Sequence, residues 1–115
     1  MRGIASAQEK GRCAMVRTKD WLPIGSVVHV EGRSGLLVTI ACMVGDEETG
    51  MLWDYAALPY PQGPTGPAGN VLFDKESIDG VFGLGFQNED GEHMQELLLQ
   101  AQEAFEEEKR KVRIA

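Results

Sequence analysis

Few residues in this sequence have the types and spacing that a metal centre needs. The strong transition-metal ligands are two histidines and two cysteines: His29, His93, Cys13 and Cys42. None of them form a chelating pair such as CxxC or HExxH, the short spacings by which zinc sites are recognised. We therefore expect no metal and no other cofactor.

The side chains that could serve acid–base or nucleophilic catalysis lie in unsuitable surroundings. His29 alternates with valines, so its ring is expected to face solvent from a strand. Ser26 does not reproduce the GxSxG elbow, and Cys42 lies among apolar residues, which raise a thiol pKa and make it unreactive. Asp54 stands between two aromatic residues, where a carboxylate sees water or caps a neighbouring turn more readily than it catalyses a reaction. The sequence predicts no catalytic residue and a protein that is not an enzyme.

Charge is distributed in three blocks of alternating sign. Residues 1–20 carry five basic and two acidic side chains, and residues 109–115 add four basic ones. Between Trp21 and Glu108, two cations stand against sixteen carboxylates, a net charge of −14. Such a body repels phosphates, whose neutralisation by Lys and Arg supplies much of the affinity for nucleic acids. Nucleic acid is therefore not an expected partner.

The same sequence argues against a membrane or secreted protein. No run approaches the eighteen or so apolar residues of a membrane span, and the N-terminus has no apolar centre of a signal peptide. The two cysteines lie in unlike contexts, which disfavours a structural disulfide. We expect no membrane contact and a cytoplasmic location.

The first twenty residues show neither helical nor strand periodicity. We interpret residues 1–20 as a flexible leader, with Met15 as a candidate natural start, and residues 21–115 as a single β-rich domain. Within it, β-branched and aromatic runs bounded by glycine and proline predict five short strands. These runs cover residues 27–30, 36–44, 51–58, 71–73 and 78–86. One helical turn is predicted at 74–77 and a long loop at 60–70.

A C-terminal amphipathic helix is predicted over about residues 90–112. Asp90 is a reasonable N-cap, and basic residues in the last turn complement the helix dipole. Its apolar side chains recur at helical spacing, which predicts one buried stripe: Met94, Leu97, Leu98, Ala101, Ala104 and Phe105. The fold class is therefore α+β, mostly β. Either a small SH3-like five-stranded barrel or an antiparallel sheet, followed by this helix, fits the order of elements.

Two groups of side chains are candidates for contact with a partner protein. The first group is aromatic and lies near a loop-flanked strand end: Trp53, Tyr55 and Tyr60. The second lies on the helix: Met94, Leu98, Leu99 and Phe105. Large aromatic and apolar side chains make good anchors at interfaces, but in so small a domain core packing explains each of them equally well.

Several motifs in order resemble the family known as domain of unknown function 4176. They include Leu22-Pro23-Ile24-Gly25-Ser26, Trp53-Asp54-Tyr55, Pro59-Tyr60-Pro61 and Val81-Phe82-Gly83-Leu84-Gly85-Phe86, and the resemblance covers roughly residues 21–106. Members look like small proteins encoded beside type VII secretion systems and their LXG or WXG100-type toxin substrates in Gram-positive bacteria. The family has no established catalytic residues.

This resemblance implies an accessory role: a chaperone, adaptor or targeting factor that binds a helical secretion substrate or toxin. An immunity protein, whose acidic body covers a basic toxin surface, is the alternative. A homodimer, with the helix exchanged between protomers, is also open.

Overall fold

The structure, a computed structural model, describes residues 21–64 and 69–114. The predicted leader and its Met15 start lie outside the described residues, as does part of the predicted 60–70 loop. In chain order the elements are β1 (Val27–Val30), β2 (Leu36–Gly45), β3 (Leu52–Tyr60), β4 (Val71–Phe73), a 3₁₀ turn (Lys75–Ser77), β5 (Ile78–Gly83) and α1 (Glu89–Ile114).

The five strands form one open antiparallel sheet with the order β4-β3-β2-β1-β5. The sheet does not close on itself, so an SH3-like barrel does not describe it, and the predicted antiparallel sheet with one C-terminal helix is confirmed. β4 and β5 are the two edges. Sequence order already places β1, β2 and β3 side by side, as hairpin connections favour.

β3 continues past Pro59, where the sequence analysis ended it. Pro59 pairs with Leu37 of β2, whereas β4 pairs only with Tyr55, Ala56 and Ala57. The Pro59 backbone therefore has a paired strand on one side only, and a missing N–H is tolerated at such an edge position.

The core lies between the sheet, the segment that precedes β1 and one face of α1. Its buried apolar side chains come from every strand and from the helix: Trp21, Leu22, Val28, Val30, Leu37, Tyr55, Ala57, Phe73, Ile78 and Leu98. Tyr55 stacks on Phe73 with ring centroids 5.6 Å apart. Its hydroxyl accepts a hydrogen bond of 2.8 Å from the Leu22 amide, which joins the entering chain to β3.

The helix begins one residue earlier and ends two residues later than predicted, and its cap is different. Asn88, not Asp90, caps it: the Asn88 side-chain oxygen accepts a hydrogen bond of 3.0 Å from the Gly91 amide, and its carbonyl accepts one of 2.9 Å from the Glu92 amide. Both residue types are favoured N-caps. Asp90 instead lies inside the first turn, where its charge still complements the dipole.

The buried stripe of α1 also differs from the predicted one. The face that packs on the domain consists of both polar and apolar residues: Gln95, Leu98, Gln102, Phe105, Lys109 and Val112. Four of the six residues predicted to be buried are exposed instead: Met94, Leu97, Ala101 and Ala104. The helix is therefore rotated so that polar side chains face the rest of the domain, where Gln102 and Lys109 have specific partners.

Candidate protein-binding surface

The C-terminal half of α1 is docked around Trp21. The Trp21 indole N–H donates a 2.9 Å hydrogen bond to the Gln102 side-chain oxygen. Phe105 meets the Trp21 ring edge-on at 6.4 Å between centroids, and the Lys75 ammonium lies 3.9 Å from the centroid of the same ring. Aromatic and cation–π contacts of this kind add to the burial of the ring itself. The helix thus packs on its own domain through these contacts.

A group of four charged side chains then fastens the end of the helix, and we call it the helix clamp: Asp54, Asp74, Lys109 and Arg113. The Lys109 ammonium lies 2.7 Å from an Asp54 oxygen and 3.1 Å from an Asp74 oxygen. Arg113 lies 2.7 Å from the other Asp74 oxygen and donates a second hydrogen bond to the Leu52 carbonyl. The clamp joins α1 to β3 and to the residue before the 3₁₀ turn.

Burial makes the helix clamp more than a surface ion pair. The Asp54 side chain is 5% exposed and that of Lys109 is 14% exposed. Burial alone would raise the pKa of Asp74, but the hydrogen bonds from Arg113 and Lys109 outweigh it and hold that pKa below its ordinary value. Burial likewise opposes the charge of Lys109, yet the hydrogen bonds to Asp54 and Asp74 raise its pKa. Both shifts favour the charged forms of Asp74 and Lys109.

Asp54 therefore has a structural role. Its second oxygen accepts a 2.8 Å hydrogen bond from the Lys75 amide, at the start of the 3₁₀ turn. Asp54 therefore caps a neighbouring turn, one of the two structural roles predicted for it. Among the described residues, every carboxylate oxygen of Asp54 has a partner from its own chain.

The N-terminal half of α1 leaves an apolar groove open. The groove, about 160 Å³ in volume, lies between the helix and the segment before β1, with Cys42 and Leu98 among its lining residues. Three of its lining side chains are strongly exposed, and we call them the apolar rim: Ile24, Phe86 and Met94, at 51%, 83% and 50% exposure. Burial raises the pKa of the Cys42 thiol to about 11, so the lining stays uncharged at neutral pH.

A buried polar network positions the segment that carries Ile24. The Ser26 hydroxyl donates a 2.7 Å hydrogen bond to the Pro23 carbonyl and accepts one of 3.0 Å from the Gly85 amide. Thr39 of β2 donates to the same carbonyl at 3.2 Å. Gly85 packs so closely on the backbone of Ile24 that a Cβ there would overlap the Ile24 carbonyl. Glycine at 85 is what lets Phe86 reach the groove.

The structure places the seven predicted partner-binding residues in different environments. Tyr55 and Leu98 are 0% and 5% exposed and belong to the core, although Leu98 also lines the groove. Phe105 is half-buried against the same core.

The other four predicted residues are exposed to differing degrees. Trp53 is half-buried, with the Arg113 guanidinium 4.7 Å from its ring centroid. Tyr60 and Leu99 are exposed but line no part of the groove. Met94 alone of the seven belongs to the apolar rim.

Sequence reasoning missed Ile24 and Phe86. The sequence predicts a strand over 78–86, whereas β5 ends at Gly83 and leaves Phe86 outside it. The sequence nevertheless contains a pattern that points to this segment: large apolar residues alternate with Gly83 and Gly85. Glycine has no side chain that could cover its neighbours, so such a segment exposes its apolar side chains. Phe82, Leu84 and Phe86 are all exposed.

Of the remaining candidate groups, His29 has two specific partners. His29 does not simply face solvent: its two ring nitrogens lie 2.6 Å from an Asp79 oxygen and 2.8 Å from the Arg33 carbonyl. The hydrogen bond to Asp79, above all, raises the pKa of His29. No group of three or more metal-ligating side chains occurs among residues 21–64 and 69–114.

The geometry defines a small α+β domain in which an open antiparallel sheet and one helix leave an apolar groove between them. A family model described as a domain of unknown function, DUF4176, matches residues 21–94, which is more than half of the chain. The chain belongs to this family. No curated protein and no solved structure matches it. In the described ranges no helix is both long enough and apolar enough to cross a membrane.

Proposed function

We propose that this protein is a non-enzymatic, cytoplasmic accessory factor that binds another protein, as a chaperone, adaptor or targeting factor for a type VII secretion substrate. The observation that carries the proposal is the apolar rim around an open groove. Phe86 is 83% exposed, and an aromatic side chain left in water beside a groove favours an interaction site.

The size of the groove favours a protein side chain over a small molecule. Its volume of about 160 Å³ lies below the roughly 300–1,000 Å³ typical of small-molecule sites. Met94 and Leu98 line it one helical turn apart, so a partner helix can extend from it along α1. A helix that lays its apolar face into a groove between helix and loop is a common recognition mode.

Charge around the groove adds a second requirement on the partner. The exposed first turn of α1 carries Glu89, Asp90 and Glu92. The nearby body is acidic, and the cations Lys75, Lys109 and Arg113 face other groups of the domain. We therefore expect basic residues beside the apolar stripe of the partner, since complementary charge speeds association and fixes orientation.

The test is co-expression of the tagged protein with the product of the adjacent secretion-substrate gene. Wild-type protein and a Tyr60→Asp variant, which changes an exposed aromatic residue outside the groove, should retain the substrate, whereas Phe86→Asp should lose it. Loss with Tyr60→Asp and retention with Phe86→Asp would place the interface elsewhere. No retention by the wild type would reject the proposal.

The acidic body supports an immunity protein as a second candidate. Sixteen carboxylates against two cations between Trp21 and Glu108 suit a basic toxin surface. The two functions give opposite results in one assay: an immunity protein protects cells that express the adjacent toxin, whereas an export factor raises toxin secretion and leaves its toxicity inside the cell unchanged.

A further inference from the structure

The ring of His29 bridges the edge strand β5 and the turn between β1 and β2. Its Nδ1 atom lies 2.6 Å from an Asp79 carboxylate oxygen on β5. Its Nε2 atom lies 2.8 Å from the Arg33 carbonyl oxygen in the turn. All five residues of this turn, 31–35, are exposed, so the contact with His29 ties an exposed turn to the edge of the sheet.

A shift in strand register brings Asp79 to this ring. His29 pairs with Gly80, whereas Val30 pairs with Ile78, so Asp79 is an extra residue in the ladder between β1 and β5. A β-bulge of this kind re-aims a side chain, and bulges are frequent at functional sites. Gly80 has no side chain to compete for the space beside the ring. The local backbone therefore favours the ion pair between His29 and Asp79.

Both partners of the His29 ring are hydrogen-bond acceptors. An ionised carboxylate and a backbone carbonyl accept and cannot donate, whereas a neutral imidazole has one N–H group and one lone pair. Only the doubly protonated ring can donate to both oxygens at 2.6 and 2.8 Å. The geometry thus requires the charged form of His29, and the hydrogen bond to Asp79 raises its pKa in the same direction.

Loss of one proton disturbs the contact with Arg33. The remaining N–H group stays at Nδ1, where it faces a charged acceptor, so Nε2 presents a lone pair to the Arg33 carbonyl. Two acceptors at 2.8 Å repel each other. The turn is able to move away, because Gly32 and Gly35 flank Arg33 at φ of 82° and 89°, and glycine permits many backbone conformations.

From this geometry we infer that His29 is a pH-sensitive switch, which holds the turn at residues 31–35 when it is doubly protonated and releases the turn when it is neutral. Among the elements next to β1, β5 contributes Asp79, the turn contributes the charged residues Glu31 and Arg33, and the paired positions of β2 carry no titratable group. The inference does not depend on the proposed function, because none of these residues lines the groove.

The test is NMR spectroscopy on the full chain between about pH 5 and pH 9. Chemical shifts of the ring nitrogens report whether His29 carries one proton or two, and the Ser34 amide, which follows the Arg33 carbonyl, reports on the turn. In wild type both signals should change together, with one midpoint above 6.5. The Gly50 amide, which donates to the Asp46 carbonyl in the turn after β2, is the control and should not follow this midpoint.

Asp79→Asn provides a matched variant. The amide that it introduces can donate to Nδ1, so a neutral His29 ring keeps its N–H group for the Arg33 carbonyl. The Ser34 amide should then no longer respond to titration of the ring, and His29→Gln should also remove the response. Circular dichroism establishes that both variants are folded. A wild-type midpoint at or below 6.5, a Ser34 amide that ignores the titration, or an unchanged response in Asp79→Asn would overturn the inference.

Discussion

Replacement of Lys109 by methionine should measure how firmly the helix clamp holds α1 on the sheet. Methionine keeps the apolar stem and removes the ammonium that lies 2.7 Å from Asp54 and 3.1 Å from Asp74. Two carboxylates at 5% and 13% exposure then lose their shared cation. Because the charges left behind are poorly hydrated, the variant should be much less stable than the loss of a surface ion pair would make it.

The expected loss of unfolding free energy depends on how many contacts of the helix clamp remain in Lys109→Met. Removal of one partner from a buried ion pair costs about 3–5 kcal/mol. Arg113 still pairs with Asp74, and the Lys75 amide still donates to Asp54, so the lower end of that range applies. We expect Lys109→Met to lower the free energy of unfolding by about 3 kcal/mol in urea titrations at neutral pH.

Lys111 provides the control for this prediction. It pairs with Glu108 at 3.5 Å, and both side chains are more than 60% exposed, so Lys111→Met should change stability by less than about 0.5 kcal/mol. Adding Asp54→Asn to Lys109→Met should restore part of the loss, because it removes a buried charge that has lost its partner. Equal effects of Lys109→Met and Lys111→Met would refute the reasoning.

Three further predictions concern the sheet and the groove. The hydrogen bond to Asp79 raises the pKa of His29 above 6.5. Wild type should therefore be more stable than His29→Gln below pH 6.5, and this difference should decline as the pH rises through the pKa of His29 in the folded protein. Melting temperatures of both proteins at about pH 5 to 9 measure the difference. Gly85→Ala should lower the free energy of unfolding by about 2–3 kcal/mol in urea titrations, since its methyl group meets the Ile24 carbonyl. Tyr55→Phe should lower it by about 2 kcal/mol, because the buried amide that donates to its hydroxyl loses its acceptor.

Each of these predictions has its own control. Asp79→Asn should abolish the pH dependence that separates wild type from His29→Gln, and an unchanged profile would contradict the ion pair. Gly83→Ala is the control for Gly85→Ala, because a Cβ at position 83 meets no atom within 4 Å; equal losses would contradict the close approach. Tyr60→Phe changes an exposed tyrosine and should leave stability unaltered.

Local sequence was sufficient to predict most elements. The apolar run of β2 and the short β4 follow from apolar residues bounded by turn-forming residues, which are glycines around β2 and Asn70 and Asp74 around β4. The openness of the sheet had no such local signal. Closure depends on whether β4 and β5 meet, and that is decided by the tilt of strands far apart in the sequence.

The orientation of α1 could not be predicted because polar residues determine it. An apolar periodicity identifies Met94 and Leu97 as buried, yet the packed face carries Gln102 and Lys109. Gln102 bonds to a residue 81 positions away, and Lys109 to one 55 positions away. No window along the chain contains both partners. Met94 belongs to the predicted set, whereas Ile24 and Phe86 lie on segments outside the helix and the strands, which no periodicity identifies.

The family match ends at Met94, within the second turn of α1. This boundary separates the buried acids of the helix clamp from the cations that pair with them. Asp54 and Asp74 lie inside the matched range, whereas the two cations that neutralise them lie outside it. A protein shortened to residues 21–94 would retain all five strands with two inward-facing acids and an uncovered indole. The range matched by the family model is therefore shorter than the domain that can neutralise its own buried charges. A fragment must extend to Arg113 if Asp54 and Asp74 are to keep their cations.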